Sequence, residues 1–385
     1  MRVAVHPEAA DACAFYRMSE PARVLAGQGA DVDHRVGRCY RVAGHGPAMS
    51  IVDPPADLPD VVVVQRPLSD WQYRYVRAFQ AKGVAVVVEL DDDFGAVHPE
   101  NSAHFDASPR WLSAEEWERA GRPSGRTAAR SGRTWHECPP GVTSSRSDVW
   151  LRRACKLADL VTVTTPALAG RYAPHGRVVV LPNLVPERYL QVEAPSHDGV
   201  VVGWGGTVAT HPDDLVVTGG GVARAVSLAG AGFRVVGDGV RVRADLGLEM
   251  EPEVAGWVGL DEWPAALASF DVGIVPLQPS VFNGAKSALK MLEMAAVGVL
   301  PIVSPTPDNV RLAKLGLGLL AESPERWQTL VGAAVRDNEM RAEMAADIRQ
   351  RAATQTYERL AERWWHAWTE ARANADVRLR GRTAA

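Results

Sequence analysis

Short apolar runs, mostly valine, punctuate the first half of the chain: VAV at 3–5, VVVV at 61–64, VAVVVEL at 84–90, LVTVTT at 160–165 and RVVVLP at 177–182. Continuous apolar runs of this length suit strands covered on both faces, as in a parallel sheet lying under helices. Helix-like segments separate them, among them SEPARVLAGQG at 19–29, which closes on glycine. The same grammar returns at 199–206 (GVVVGWGG), 233–239 (FRVVGDG), 271–277 (DVGIVPL) and 299–304 (VLPIVS). Alternating strands and helices predict an α/β protein with doubly wound parallel sheets. Between the halves, PNLVPERYLQVEAPSHDG at 182–199 holds three prolines and little periodicity, and reads as a linker.

Length turns this pattern into a domain count. A chain of 385 residues is too long for one ordinary core. We expect an N-terminal domain over 1–185 and a C-terminal domain over 199–355. A final helix and tail follow over 356–385, returning to the first domain. In that helix Trp364, Trp365 and Trp368 read as packing residues. From about 108 to 147 the pattern lapses into an Arg-, Ser-, Gly- and Pro-rich stretch, expected to be an irregular insert, either functional or merely solvated. Its arginines suit an anionic acceptor.

Composition narrows the function classes. The formal net charge of −4 provides no global basic field to recruit duplex DNA or an anionic membrane. The four cysteines, Cys13, Cys39, Cys138 and Cys155, form no CxxC pair, which argues against a zinc or redox motif and fits reduced thiols in cytoplasm. No signal-peptide core and no membrane-spanning run is visible.

Most of the stretch FNGAKSALKMLEMAAVGVLPIVS, 282–304, reads as a helix running into a buried strand. On a helical wheel Leu289, Leu292 and Ala296 share one side, and Lys286, Lys290 and Glu293 another. A solvated face with ion pairs worth a few tenths of a kcal/mol would explain those charges. Three details favour a ligand. The preceding PLQPSVFNGAKS is a loop just past a strand end, where α/β proteins bind ligands. The helix start offers free N–H groups and a positive dipole end, suited to phosphate. A lysine in that first turn opposes the dipole unless an anion sits beside it.

With FDVGIVPL upstream, this stretch resembles the donor-binding segment of GT-B glycosyltransferases. Within them it resembles the retaining family of sucrose- and mannosyl-transferases, in particular polysaccharide and phage-encoded members. That family carries two glutamates separated by seven residues, followed by a small-residue helix, Gly, Pro and a buried strand. The second matches Glu293, which the resemblance places on the donor ribose. The first position is occupied by Lys286, where the family residue faces the transferred sugar. DLVTVTTPAL (159–168) and VVVLPNLVPERY (178–189) resemble the end of the N-terminal domain, up to a hinge asparagine at Asn183. VVVGWGGTVATHPDDL (200–215) resembles the glycine loop opening the C-terminal domain. There Gly205 and Gly206 let backbone approach a diphosphate and Thr207 can donate. The family usually adds an Arg and a Lys shortly afterwards. His211 is the nearest candidate here, so Lys286 and Lys290 would supply the charge. The resemblance also puts Asp238, Asn283 and Ser287 in the donor site, with Trp257 and Val258 near the base.

The N-terminal domain is then expected to hold the acceptor. In ACAFYRMSEPARVL (12–25), Tyr16 and Arg17 are candidates to line the cleft, although Arg17 equally suits a cap or a pair. In VVVELDDDFGAVHPEN (86–101), three aspartates end a buried strand, where like charges cost energy unless solvated, paired or used. Asp92 is the candidate catalytic residue there, with Lys286 across the cleft, and Asp91 and Asp93 are candidates for acceptor contact. A plain turn and helix cap is the bland alternative. Asp91-x-Asp93 also superficially resembles the metal-binding DxD of GT-A enzymes, whose domain plan differs. His98 is a possible equivalent of the family's acceptor- and sugar-contacting histidine.

The expected protein is therefore a two-domain GT-B glycosyltransferase of two Rossmann-like domains facing across a cleft. It takes a nucleoside diphosphate sugar (UDP-, GDP-, ADP- or TDP-linked) and needs no metal or other cofactor. Retention of configuration is implied by the resemblance alone. A glycan, a protein, a natural product or a modified DNA base are all open as acceptor. A nucleotide-sugar epimerase on the same fold and a non-catalytic nucleotide-sugar-binding protein are the alternatives.

Overall fold

The computed structural model describes residues 1–7, 9–37, 40–44, 50–52, 57–97, 101, 111–124, 127–130, 133–137, 147–211 and 213–383. Val3–Val5, Val32–His34, Val61–Gln65, Ala85–Leu90, Leu160–Val163 and Val178–Val180 form one six-stranded parallel sheet. Its spatial order is 178–180, 160–163, 85–90, 61–65, 3–5, 32–34. Val201–Gly206, Gly232–Gly237, Glu253–Gly256, Val272–Val275, Leu300–Val303 and Leu319–Leu320 form a second, ordered 253–256, 232–237, 201–206, 272–275, 300–303, 319–320. Each sheet reverses its winding beside its first strand, between 3–5 and 61–65 and between 201–206 and 272–275. Such switch points open a crevice at the carboxyl ends of the strands.

The valine runs are explained by what covers them. Val3, Val5, Val61, Val63, Ala85 and Val87 face one core, and Ala4, Val62, Val64, Val86 and Val88 face another on the opposite side. The first of these cores is completed from the far end of the chain. Trp364 and Trp368, each 1 % exposed, lie on the helix Glu362–Thr383 and pack against this sheet with Ala367, Ala371 and Ala375. Burying a side chain of that size contributes roughly 3 kcal/mol. The second sheet has its own core, drawn from Val185 to Ala352.

The linker is anchored: Val185 pairs with Thr356, residues Glu187–Gln191 form a 3-10 turn, and Tyr189 is buried. Part of the 108–147 insert is ordered, as Trp111–Ser113, Thr127–Arg130 and Arg133–Glu137 make a small antiparallel sheet. Beside it the helix Ala114–Arg119 starts on a reciprocal Ser113–Glu116 cap. Short edge-to-edge strands without a valine run leave little trace in a hydrophobicity pattern. No helix among the described residues is long and apolar enough to cross a membrane.

Candidate functional site

Where the carboxyl ends of the two sheets face each other lies a cavity of about 430 Å³. That is within the roughly 300–1,000 Å³ usual for small-molecule sites. The first domain contributes Cys13, Tyr16, Asp91 and Asp92, and the second contributes Gly206, Thr207 and the segment Lys286–Met291 with Glu293. Trp257, Val258, Leu260 and Trp263 form an apolar wall.

The donor-like stretch is not one helix. Val281–Ala285 is a short helix, Lys286 is extended (φ −64°, ψ 148°), and a second helix runs Leu289–Ala296. The break is held by distant partners. Ala288 N donates to Asp308 Oδ2 at 2.7 Å, and Asn183 Nδ2 donates to Ser287 Oγ at 2.8 Å. Lys286 therefore enters the cavity from an extended backbone, not from the same helical face as Lys290 and Glu293. Its ammonium lies 4.7 Å from the Phe282 ring centroid and makes no ion pair among the described residues.

Lys290 Nζ donates to Gly205 O and lies 5.8 Å from the Trp204 ring centroid. Burial pulls it down to about 8, against the attraction of Glu293 and with the repulsion of Lys286. Burial likewise pushes Glu293 up to about 7, opposed by hydrogen bonds from Tyr16 and Trp263 and by Lys290. Both hydrogen bonds end on the same oxygen: Tyr16 OH and Trp263 Nε1, the latter at 3.0 Å, donate to Oε1. Burial thus disfavours the charged form of both groups, a perturbation of the kind that gathers at functional sites.

The glycine loop packs against this pair. Gly206 has φ +152°, and a Cβ there would sit 2.7 Å from Lys290 Nζ. Thr207 Oγ1 accepts from Ala209 N at 3.2 Å and faces the cavity's edge. Asp238 donates its backbone N–H to Gly206 O at 3.0 Å, accepts from Val240 N at Oδ1 and from Thr207 Oγ1 at Oδ2 (3.5 Å), and so steadies the loop without lining the cavity. Asn283 is buried and donates to Asp214 Oδ1 at 2.7 Å and Gln278 O at 2.9 Å, so it too is a brace. Asp214 Oδ2 accepts from His211 Nδ1 at 2.9 Å. Burial and the nearby Lys286 push His211 down to about 4, so the ring is neutral and Nε2 is its acceptor.

On the facing domain the candidates separate. Tyr16 lines the cavity, but Arg17 does not: its Nε donates to Glu89 at 2.8 Å and its Nη1 to Leu181 O and Asn183 Oδ1, at 1 % exposure. Arg17 is a core ion pair, which corrects its expected place in the acceptor cleft. The three aspartates have three fates. Asp91 takes a two-pronged pair from Arg66, which outweighs the burial that would raise it and holds its carboxyl below the usual range. Asp93 pairs with Arg171 at 2.7 Å and lines a separate small cavity with Asp148 and Arg152. Asp92 alone lines the main cavity without a hydrogen bond among the described residues, and burial raises its pKa against the pull of Lys286. Asp91 and Asp93 thus diverge rather than converge on one ion. His98 lies outside the described residues. Nothing local in the sequence distinguishes Trp263, Tyr189, Asp214 and Asp308, whose partners are all distant along the chain or set by the fold.

No family model and no curated protein matches this sequence. Solved structures do. The sucrose-phosphate synthase of Thermosynechococcus elongatus superposes with a TM-score of 0.57 at 15% identity, over 97% of this chain and 99% of that one. The Anabaena protein HepE, solved with UDP and glucose, gives 0.54 at 14% identity, over 94% and 90%. The pneumococcal O-GlcNAc transferase GtfA, solved with UDP and GlcNAc, gives 0.50 at 14%, with this chain spanning 81% of itself and 56% of GtfA. At such identities the likeness speaks to architecture, and with the two facing six-stranded parallel sheets it establishes that this chain has the GT-B fold.

Proposed function

We propose that the protein transfers a glycosyl group from a nucleoside diphosphate sugar to an acceptor. One observation carries this reading: Lys286, Lys290, the Gly206 loop and Glu293 meet in a single interdomain cavity, where a diphosphate and a ribose need cations, backbone and a carboxylate. The crystals of HepE and GtfA with UDP make UDP-sugars the first class to test. In this reading Trp257 and Val258 flank the base, and Glu293 accepts from the ribose hydroxyls. Gly206, Thr207, Ser287, Lys286 and Lys290 surround the diphosphate, the last two stabilising its charge as the sugar departs. Residues 199–355 then form the donor domain and 1–185 the acceptor domain. Asp92, the free carboxylate on the acceptor side, accepts the hydrogen bond of the incoming hydroxyl. Retention of configuration and independence of metal belong to the same proposal.

Thermal-shift titration with UDP-, GDP-, ADP- and TDP-sugars tests it. A ligand at 100 times its Kd adds about 2.7 kcal/mol to native-state stability. The expected result is a shift with one nucleotide class that Glu293→Ala and Lys290→Ala each abolish. Unchanged shifts in both variants would sink the donor-site assignment. Sugar release without acceptor then separates transfer from simple binding.

A further inference from the structure

Tyr16 stands out because its placement is over-determined. It lies in a π-helical turn, Phe15–Ser19, where Glu20 N–H reaches back to Phe15 O. Such one-turn insertions rotate side chains away from regular helical positions and gather at functional sites. Its own carbonyl accepts from Tyr357 OH at 2.5 Å, pinning the turn to the returning C-terminal segment. Its ring is 2 % exposed, and its hydroxyl bridges two other parts of the chain, Glu293 in the second domain and Tyr189 in the linker, the latter at 2.9 Å.

A phenol has one proton. Since Tyr16 gives it to Glu293 Oε1, Tyr189 must donate to the Tyr16 oxygen, forming a directed relay Tyr189 → Tyr16 → Glu293. Burial, with Glu293 nearby, holds the Tyr16 phenol well above its ordinary range, so it stays a donor. Trp263 also donates to Oε1, and no hydrogen bond is taken by Oε2 among the described residues.

We infer that Tyr16 is a positioning residue of the nucleotide site: reaching across from the other domain, it saturates one oxygen of Glu293 and leaves the second turned to the ligand's hydroxyls. The inference rests on the proposed nucleotide-sugar reading. It makes the nucleotide pocket a product of both domains, so that Glu293 is correctly set only while the first domain is docked. The charged and titratable groups facing Glu293 are Lys290 on its own helix, Tyr16 from the π-turn and, through Tyr16, Tyr189.

The test is UDP binding by calorimetry between pH 6 and 9, with Tyr16→Phe, Tyr357→Phe and wild type, repeated with GDP, ADP and TDP if UDP is not bound. Tyr16→Phe keeps the ring and deletes the proton. Its expected effect is about tenfold weaker binding at neutral pH, with the acid limb of the binding profile moved to higher pH, because an ionised Glu293 has lost a stabilising hydrogen bond. Tyr357→Phe loosens the same turn without touching the carboxylate. It should lower the melting temperature and leave the acid limb in place. If wild type binds a nucleotide and Tyr16→Phe binds it with the same affinity and the same pH profile, the inference is overturned and the function stands. If Tyr357→Phe moves the limb as far as Tyr16→Phe does, the effect is general loosening and the inference is likewise overturned. If wild type binds no nucleotide, the functional reading itself has failed.

Discussion

Replacing Glu293 with glutamine keeps the shape of the side chain and an oxygen for Tyr16 and Trp263, but removes the proton equilibrium. In the fold that carboxyl is pushed from 4.5 up to about 7, mainly by burial. Between those values the native state holds a proton that the unfolded chain has released. The contribution of this carboxyl to wild-type stability therefore falls as pH rises through the window, by about 1.4 kcal/mol per pH unit and about 3 kcal/mol in all. The glutamine variant lacks that slope. Part of the gain is lost because Lys290, itself held down to about 8, loses its neighbouring negative charge. The net expectation is a variant within about 0.5 kcal/mol of wild type at pH 5 and more stable by about 1–2 kcal/mol at pH 8. Urea unfolding of both proteins at pH 5, 6, 7 and 8 measures this, since the groups remote from Glu293 and Lys290 titrate alike in both and drop out of the difference. The same variant should no longer be stabilised by nucleotide, so a residue that destabilises the empty protein would be kept for its ligand. A difference that is flat with pH, or that favours wild type at pH 8, refutes the reasoning.

Three further outcomes follow from the geometry. Arg17→Met leaves Glu89 buried without its cation, and should cost about 3–5 kcal/mol in denaturant titrations while the folded fraction still binds nucleotide. Trp257 is 72 % exposed. Trp257→Ala should change stability by less than about 0.5 kcal/mol, but weaken nucleotide binding by about 1–3 kcal/mol, the usual worth of a base stacked on an aromatic ring, measured by calorimetry. Gly206→Ala forces a side chain into a φ of +152° and against Lys290, so it should reduce both stability, by about 1 kcal/mol or more, and the nucleotide-induced thermal shift.

The strands that the sequence reveals are those covered on both faces, where burial demands an unbroken apolar run. Val32–His34, Glu253–Gly256 and Leu319–Leu320 escape notice because they are short and lie at or next to sheet edges, partly in solvent. The helix break at Lys286 is hidden for a different reason. Gly284 is the one local hint, and the Ala288 N–H that begins the second helix is satisfied by Asp308, twenty residues further on. Arg17 reads as a cleft residue only while its partner is unknown, and that partner, Glu89, comes from the strand Ala85–Leu90, far along the chain. The aspartate triplet was legible as unusual, but which member stays free depends on Arg66 and Arg171, whose approach is a tertiary fact.

The returning helix bears on how the molecule is made. Trp364 and Trp368 cover one face of a sheet whose last strand ends at Val180. As the chain leaves the ribosome, that sheet waits with an apolar face open until the final segment emerges. The second core, complete by Ala352, can close first. The first sheet's core is thus finished by residues made after those of the second, so the two domains need not close in the order in which they are synthesised. Tyr357 arrives with that last segment and fastens the turn bearing Tyr16, so the wall of the pocket contributed by the first-made domain is the last to be set.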